Sequence, residues 1–282
     1  FKVPKYAHIA PFVKVDESTG NKRKLSKRKD PEAAVSFYHE KGVPVEAVMI
    51  YLATVANSNF EAWFDCNKDA KIEDFKFEFK KIGSSGGALF DLDKLMNISK
   101  NYLSKLTKDE IYDRVLNYSK EFDTEFYDLL VKYEDYSKSI FNIEREQKKP
   151  RKDYATYADA KKQIWYMYDE LFDKYFENYD FGKITDKEEI KNIINTYIDE
   201  YYDENDDKDT WFNKIKELSE KLGYAGNMKE YKENPDAFKG NVADVSTVIR
   251  VALTSSSMTP DLYELLRLMG KDRIKERFSK LN

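Results

Sequence analysis

The chain opens on a loosely alternating stretch, F-K-V-P-K-Y-A-H-I-A-P-F-V-K-V-D, which carries two prolines and breaks at S-T-G-N-K-R-K. Alternation is the period of a strand, so this reads as one or two strands followed by an exposed basic loop. From Asp30 the period lengthens. Ala33, Ala34, Phe37 and Tyr38 share one helical face, Asp30 suits an N-cap with Pro31 at the first helical position, and Lys41-Gly42 ends the helix. A second stripe, Val45, Val48, Met49, Leu52 and Val55, predicts a short helix packing back on the first. K-I-G-S-S-G-G then interrupts the pattern, and D-L-D-K-L at residues 91–95 restarts it, a turn feeding another helix and a natural boundary.

Beyond Lys105 the pattern is almost wholly helical, with Ile111, Val115, Leu116, Phe122, Phe126, Leu129, Leu130 and Tyr133 at helical spacings and Ser104 or Thr107 as the first cap. The basic run K-K-P-R-K-D at 148–153 reads as an exposed connection. A Tyr-rich stretch from 157 to about 178 follows and reads as helical core. The final third predicts helices near 187–202, 210–222, 242–253 and 260–269. The last has Thr259 as N-cap, Pro260 at the first position, Leu262, Leu265, Leu266 and Met269 on one face and Gly270 as its stop. No repeat of fixed period occurs. The expected fold class is mainly α, with a short α/β portion at the N-terminus.

Composition adds bounds to that picture. The 282 residues, 41% hydrophobic and 15% aromatic, suffice for two or three modules. With 35% charged residues and a mean hydropathy of -0.75, the cores must be built from amphipathic elements. Cys66 is the only cysteine, which excludes an internal disulfide and a Cys-rich zinc site and fits a reducing cytoplasm. No apolar run approaches the roughly 18 residues of a membrane helix, and residues 1–10 hold no signal-peptide core, so no membrane partner is expected. The missing initiator Met suggests a chain cut from a longer one. The net charge of -4 argues only weakly against nucleic acid, because residues 1–30 carry nine Lys/Arg against three acids while 169–209 is acidic.

The informative motif is K-L-S-K-R at 24–28, in a basic loop between a strand-like segment and a helix. By composition alone it is a solvated loop, a nucleic-acid patch or a mobile phosphate clamp. G-S-S-G-G at 83–87 lacks the following G-K-[ST] of a phosphate loop and reads as a turn. The acid string at 203–209 starts like a calcium loop, but Lys208 and Lys214 stand where its glycine and final glutamate belong. His8 and His39 lack neighbouring ligand types, so no metal site is expected. There is no G-x-G-x-x-G and no pair of catalytic carboxylates.

Taken with its flanks, Y-A-H-I-A-P-F-V-K-V-D-E-S-T-G-N-K-R-K-L-S-K-R-K-D-P resembles the segment around the second class I signature, K-M-S-K-S, of bacterial-type glutamyl-tRNA synthetases. F-D-L-D-K-L at 90–95, P-R-K-D at 150–153, I-R-V-A-L-T at 249–254 and T-P-D-L-Y-E-L-L-R-L-M-G-K-D-R at 259–273 resemble the same family in the same order, so the likeness spans nearly the whole chain. Leu25 and Arg28 depart from the signature in a way usual for the glutamyl branch. The first class I signature, H-x-G-H, is absent, and H-I-A-P at His8 is no substitute.

The resemblance implies a glutamate-tRNA ligase as the full-length protein, using ATP with Mg2+ and glutamate to charge tRNA(Glu), with tRNA(Gln) as an open alternative. This part alone is expected to bind tRNA as a cytoplasmic monomer, to carry no cofactor of its own and not to aminoacylate. It implies residues 1–32 as the end of the catalytic side, 33–104 as a helical stem-contact domain, and 105–165 and 166–282 as two all-α anticodon-binding modules. Lys27 and Lys24 are the implied catalytic residues, and Lys24, Ser26 and Lys27 the ATP contacts, since a mobile ammonium meets the charge that builds on a polyphosphate leaving group. Arg151 falls where the family inspects the third anticodon base, and Arg250, Thr259 and Leu262 match the spacing for the others. Thr259 reads equally as a cap, Leu262 as core and Arg250 as a structural ion pair. Lys148, Lys149 and Lys152 are the expected phosphate contacts. A helical C-terminus favours the bacterial type over relatives that end in β-barrels. The competing readings are a freestanding tRNA-binding module without enzymatic activity and an all-helical scaffold.

Overall fold

A computed structural model describes residues 3–4, 6, 10–16, 18–67, 70–82 and 87–281, Phe79 by its backbone alone. His8 and residues 83–86 of the glycine-rich segment lie outside it. The chain forms two compact units, residues 1–131 with 145–162, and residues 132–144 with 163–282.

The first unit begins with a small sheet of order β2-β1-β3. Strand β1 (Phe12–Val15) pairs antiparallel with β2 (Lys22–Lys24) and parallel with β3 (Ala88–Leu89). The residues expected as the start of a loop, K-R-K, thus form a strand of their own, because Thr19 and Gly20 donate to the Asp16 carbonyl and the Asp16 amide donates to the Asn21 carbonyl, which returns the chain beside β1. Helices α1 (Val35–Lys41), α2 (Val45–Ala56), α3 (Phe60–Cys66), α4 (Leu92–Lys105), α5 (Lys108–Phe122) and α6 (Thr124–Lys132) follow. Asp91 caps α4 by accepting from the Lys94 amide, and Thr107 with Glu110 forms a capping box on α5. The glycine-rich stretch is no boundary between units, since α2 before it packs on α4 after it.

Two local expectations change here. Asp30 does not cap α1: Pro31–Ala33 is a 3-10 turn, the helix starts at Val35, and the Asp30 carboxylate is engaged elsewhere. The predicted buried stripe of α2 is its open face: Val45, Met49 and Leu52 are exposed, while Ala47, Ile50, Tyr51 and Ala53 are buried. The segment V-E-A-V-M-I-Y-L-A-T-V-A has one charged residue, so apolar periodicity cannot choose its inner side. The smaller face, with Ala47 and Ala53, admits α4 closely, and Ile50, Ala53 and Phe60 form a core with Trp63, Phe75, Ile98 and Tyr102.

The second unit comprises α7 (Glu134–Asn142), the end of α8 (Ala158–Ile164), α9 (Asp169–Tyr175), α10 (Lys187–Thr196), α11 (Lys208–Lys221), α12 (Met228–Glu233), α13 (Val242–Thr254) and α14 (Leu262–Ser279). Helix α13 is its axis, with Val245, Val248, Ile249, Val251, Ala252 and Leu253 fully buried against α10, α11 and α14. The Tyr-rich stretch is interrupted by a 3-10 turn at Trp165–Met167, and Tyr166 and Tyr168 are core. In the acid string, Asp207 caps α11 and Asp206 pairs with Lys214 at 2.7 Å. The expected cap of the last helix shifts by two: Asp261, not Thr259, accepts from the Glu264 amide. Gly270 breaks α14 with φ 73° and ψ 164°, yet the helix resumes and runs on to Ser279. There Arg277, 1% exposed, pairs with Asp169 at 2.5 Å and anchors the last turns.

Candidate functional site

The K-L-S-K-R loop hangs between β2 and the 3-10 turn at Pro31–Ala33. Leu25 donates its amide to the Phe12 carbonyl at 2.9 Å, extending the hairpin by one rung. The chain then closes on itself: the Lys29 and Asp30 amides donate to the Ser26 carbonyl at 2.9 and 2.8 Å, and the Ser26 amide donates to Asp30 Oδ2 at 2.9 Å. Arg23 meets the same carboxylate with a two-pronged pair, and Lys14 reaches the buried Glu32 at 2.7 Å. The Arg23 guanidinium and the Ser26 amide hold the Asp30 carboxyl well below the usual carboxylate range. Among the described residues, no hydrogen bond or ion pair engages the side chains of Lys24, Lys27 or Arg28, all exposed.

Lys24, Leu25 and Lys27 border a groove of about 1380 Å³ whose other walls are α1, α2 and α5. Its lining is apolar on the α2 side, through Val45, Met49 and Leu52, and joined to α5 by the Arg114–Glu46 ion pair at 2.7 Å. Gly42 sits at its back in the left-handed region, φ 70°, with the Tyr118 ring so close that a Cβ would stand 2.9 Å from it. His39, on the rim, pairs with Glu121 at 3.0 Å.

The P-R-K-D segment belongs to the same unit, within irregular chain between α7 and α8. Lys148, Lys149 and Lys152 are exposed, with no side-chain partner among the described residues. Arg151 is half-buried and donates Nε to Asp153 at 2.6 Å, which fixes the plane of its guanidinium. The segment is moored by a residue the sequence reading passed over. Arg145, 7% exposed, donates Nη1 to the carbonyls of Leu103 and Leu106, at 2.7 and 3.2 Å, at the end of α4.

In the second unit, the structure brings Arg250 and Thr259 into contact. Arg250 Nη1 donates to Thr259 Oγ1 in a short bond and to the Pro260 carbonyl at 2.8 Å, while the Thr259 hydroxyl donates to that carbonyl at 2.9 Å. Leu262, the first residue of α14, is buried at 3% exposure. Glu144, whose φ of 53° is unusual for a side chain with a Cβ, accepts the Asp261 amide at 3.1 Å, and Lys208 pairs with Asp261 at 2.7 Å. Arg23, Asp30, Arg145 and Glu144 all hold functional candidates in place. Only a pairing of opposite charges seven residues apart, Arg23 with Asp30, left any trace in the sequence.

Among the described residues no cluster of three or more His, Cys, Asp or Glu has the geometry to hold a metal, and no helix is long and apolar enough to cross a membrane. What the arrangement offers chemically is ammonium and guanidinium groups on tethered loops without a side-chain partner among the described residues, suited to phosphate, and one guanidinium fixed at the start of a helix, suited to polar edges.

Comparison with known proteins bears on the family and the fold. The chain is 47% identical over 280 residues to a glutamate--tRNA ligase of Clostridium perfringens strain SM101, covering 99% of this chain and 50% of that protein. It is 44% identical over 282 residues to one from Acetivibrio thermocellus, covering 99% and 50%. The chain spans about half the length of the curated relatives it matches, their C-terminal half. Among solved structures, a glutamate-tRNA synthetase of Elizabethkingia anophelis superposes with a TM-score of 0.62 over 100% of this chain and 51% of that one. A glutamate tRNA ligase of Elizabethkingia meningosepticum gives 0.60 over 100% and 52%. Both are 16% identical, a likeness of fold. Residues 125–281 match the family model described as the anticodon binding domain, more than half of the chain, and the chain belongs to that family.

Proposed function

We propose that this chain is the tRNA-gripping and phosphate-handling half of a glutamate-tRNA ligase, which activates glutamate with ATP and transfers it to tRNA(Glu). The observation that carries the reading is a pair of exposed ammonium groups with no side-chain partner among the described residues, Lys24 at the end of β2 and Lys27 on the closed loop that follows, at the rim of a groove. A pure RNA binder has no need of such a loop beside an apolar wall. The nucleotide-binding fold of such a protein belongs to its other half. Attack of the glutamate carboxylate on the α-phosphorus of ATP expels pyrophosphate. Lys27 meets the charge growing on that leaving group without transferring a proton, with Lys24 and Ser26 completing the contact.

On the tRNA side, Lys148, Lys149 and Lys152 take phosphates and Arg151 inspects the third anticodon base, its plane set by Asp153. Arg250, positioned by Thr259, reads another base, and the buried Leu262 supports the start of α14 from within. Functionally the chain divides at residues 32, 104 and 165 into the end of the catalytic side, a stem-contact region and two anticodon-binding modules. The test is Lys27→Ala in a protein of the relatives' full length. Adenylate formation should slow far more than tRNA affinity falls; unchanged activation kinetics would refute the role of the loop.

A further inference from the structure

The residues that give the K-L-S-K-R loop its shape lie outside the motif. Arg23, in β2, and Asp30, two residues past Arg28, face each other across the loop. Arg23 Nη1 and Nη2 donate to Asp30 Oδ2 and Oδ1 at 2.6 and 2.8 Å, a fork that only a guanidinium can make. Arg23 Nε donates in turn to Asp16 Oδ2 at 3.1 Å, which ties the fork to the hairpin turn. Asp30 is 2% exposed, and its Oδ2 also accepts the Ser26 amide at 2.9 Å. One buried carboxylate therefore holds both ends of the segment, while the Lys29 and Asp30 amides close on the Ser26 carbonyl. The side chains of Lys24, Lys27 and Arg28 take no part in this and project outward.

The arrangement solves a physical problem of the motif. Three cations in succession, Lys27, Arg28 and Lys29, repel one another and favour an open loop, and a single interior anion offsets that repulsion without capturing any of the three. An aspartate among the exposed cations would pair with them and neutralise the phosphate site. Placed inside and matched to Arg23, it leaves them available.

We propose that Arg23 and Asp30 form a latch that positions Lys24 and Lys27 toward the nucleotide phosphates, both acting as positioning residues for adenylate formation. The latch rests on the reading of the loop as an ATP loop. It predicts that losing the fork harms the chemistry only through the lysines.

The experiment is a double-mutant cycle in full-length protein, reading kcat and KM for ATP in pyrophosphate exchange alongside tRNA affinity. Asp30→Asn keeps the shape and an acceptor for the Ser26 amide but removes the charge. It should lower kcat/KM for ATP about 10- to 100-fold, the range for a catalytic group displaced by an ångström or so, and leave tRNA affinity unchanged. In a Lys27→Ala background the same change should have less than about a twofold further effect, because the group it positions is gone. Equal factors in both backgrounds would overturn the latch and reduce Asp30 to a structural residue. If Asp30→Asn fails to fold, Arg23→Lys keeps the charge but not the fork and goes through the same cycle, with equal factors again counting against the latch. If Lys27→Ala itself leaves exchange unchanged, the ATP-loop reading fails and the latch with it. If Lys27→Ala slows exchange and Asp30→Asn does not, only the latch fails.

Discussion

Replacing Thr259 by valine removes one hydroxyl from the contact that fixes Arg250. In the folded chain that hydroxyl accepts from Arg250 Nη1 and donates to the Pro260 carbonyl, at a site 7% exposed. A hydrogen bond to a charged group contributes about 1.5–3 kcal/mol. Because Arg250 keeps its bond to the Pro260 carbonyl at 2.8 Å, the lower part of that range applies, and the stability loss should be about 1.5–2 kcal/mol. Urea unfolding of the chain measures it as a fall in midpoint at constant slope. If Arg250 reads an anticodon base, loosening its anchor should also weaken binding of cognate tRNA by about 1–3 kcal/mol, a factor of about 5 to 150, while a tRNA altered at that base loses little. Valine with full stability would refute the energetic reasoning. Lost stability with undiminished discrimination would show that the Arg250–Thr259 contact is structural alone.

Gly42→Ala should destabilise the chain by about 1–2 kcal/mol for the left-handed backbone alone, and by more because the new Cβ meets the Tyr118 ring, as thermal unfolding would record. Ile50→Ala should lose about 2–5 kcal/mol as a core truncation, whereas Met49→Ser, on the open face of the same helix, should change stability of the chain by less than about 0.5 kcal/mol; the reverse ranking would contradict the orientation of α2. Alanine at Lys148, Lys149 or Lys152 should weaken all tRNAs alike and reduce the slope of log affinity against log salt by about 0.7–1 per residue. A change confined to one anticodon would reassign that lysine to a base.

The pattern of elements was legible because most helices carry their own punctuation. Thr107 with Glu110 before α5, Asp91 before α4 and Gly42 after α1 are local chemistry, and local chemistry is visible in sequence. The failures came where two local solutions competed. Asp30 before Pro31 has the form of a cap, but Arg23 offers the carboxylate a charged fork, stronger than a helix amide. Thr259 and Asp261 both suit a helix start, and the partner of Thr259 is Arg250, nine residues back on another helix. Helix α2 is apolar nearly all round, so its inner face is decided by what packs on it. The candidate residues on loops were legible as motifs only by resemblance to a family. Their supports, Arg145 on the α4 carbonyls and Glu144 on the Asp261 amide, depend on contacts 39 or more residues away and leave no periodic trace.

The most direct test is equilibrium binding of this chain to glutamate tRNA, to glutamine tRNA and to a glutamate tRNA with an altered anticodon, each titrated across salt concentration. Affinity for the glutamate tRNA should exceed that for the altered one at every salt concentration, with all three falling as salt rises. Equal affinity for the three, or no saturable binding, would contradict the assignment of anticodon recognition to Arg151 and Arg250.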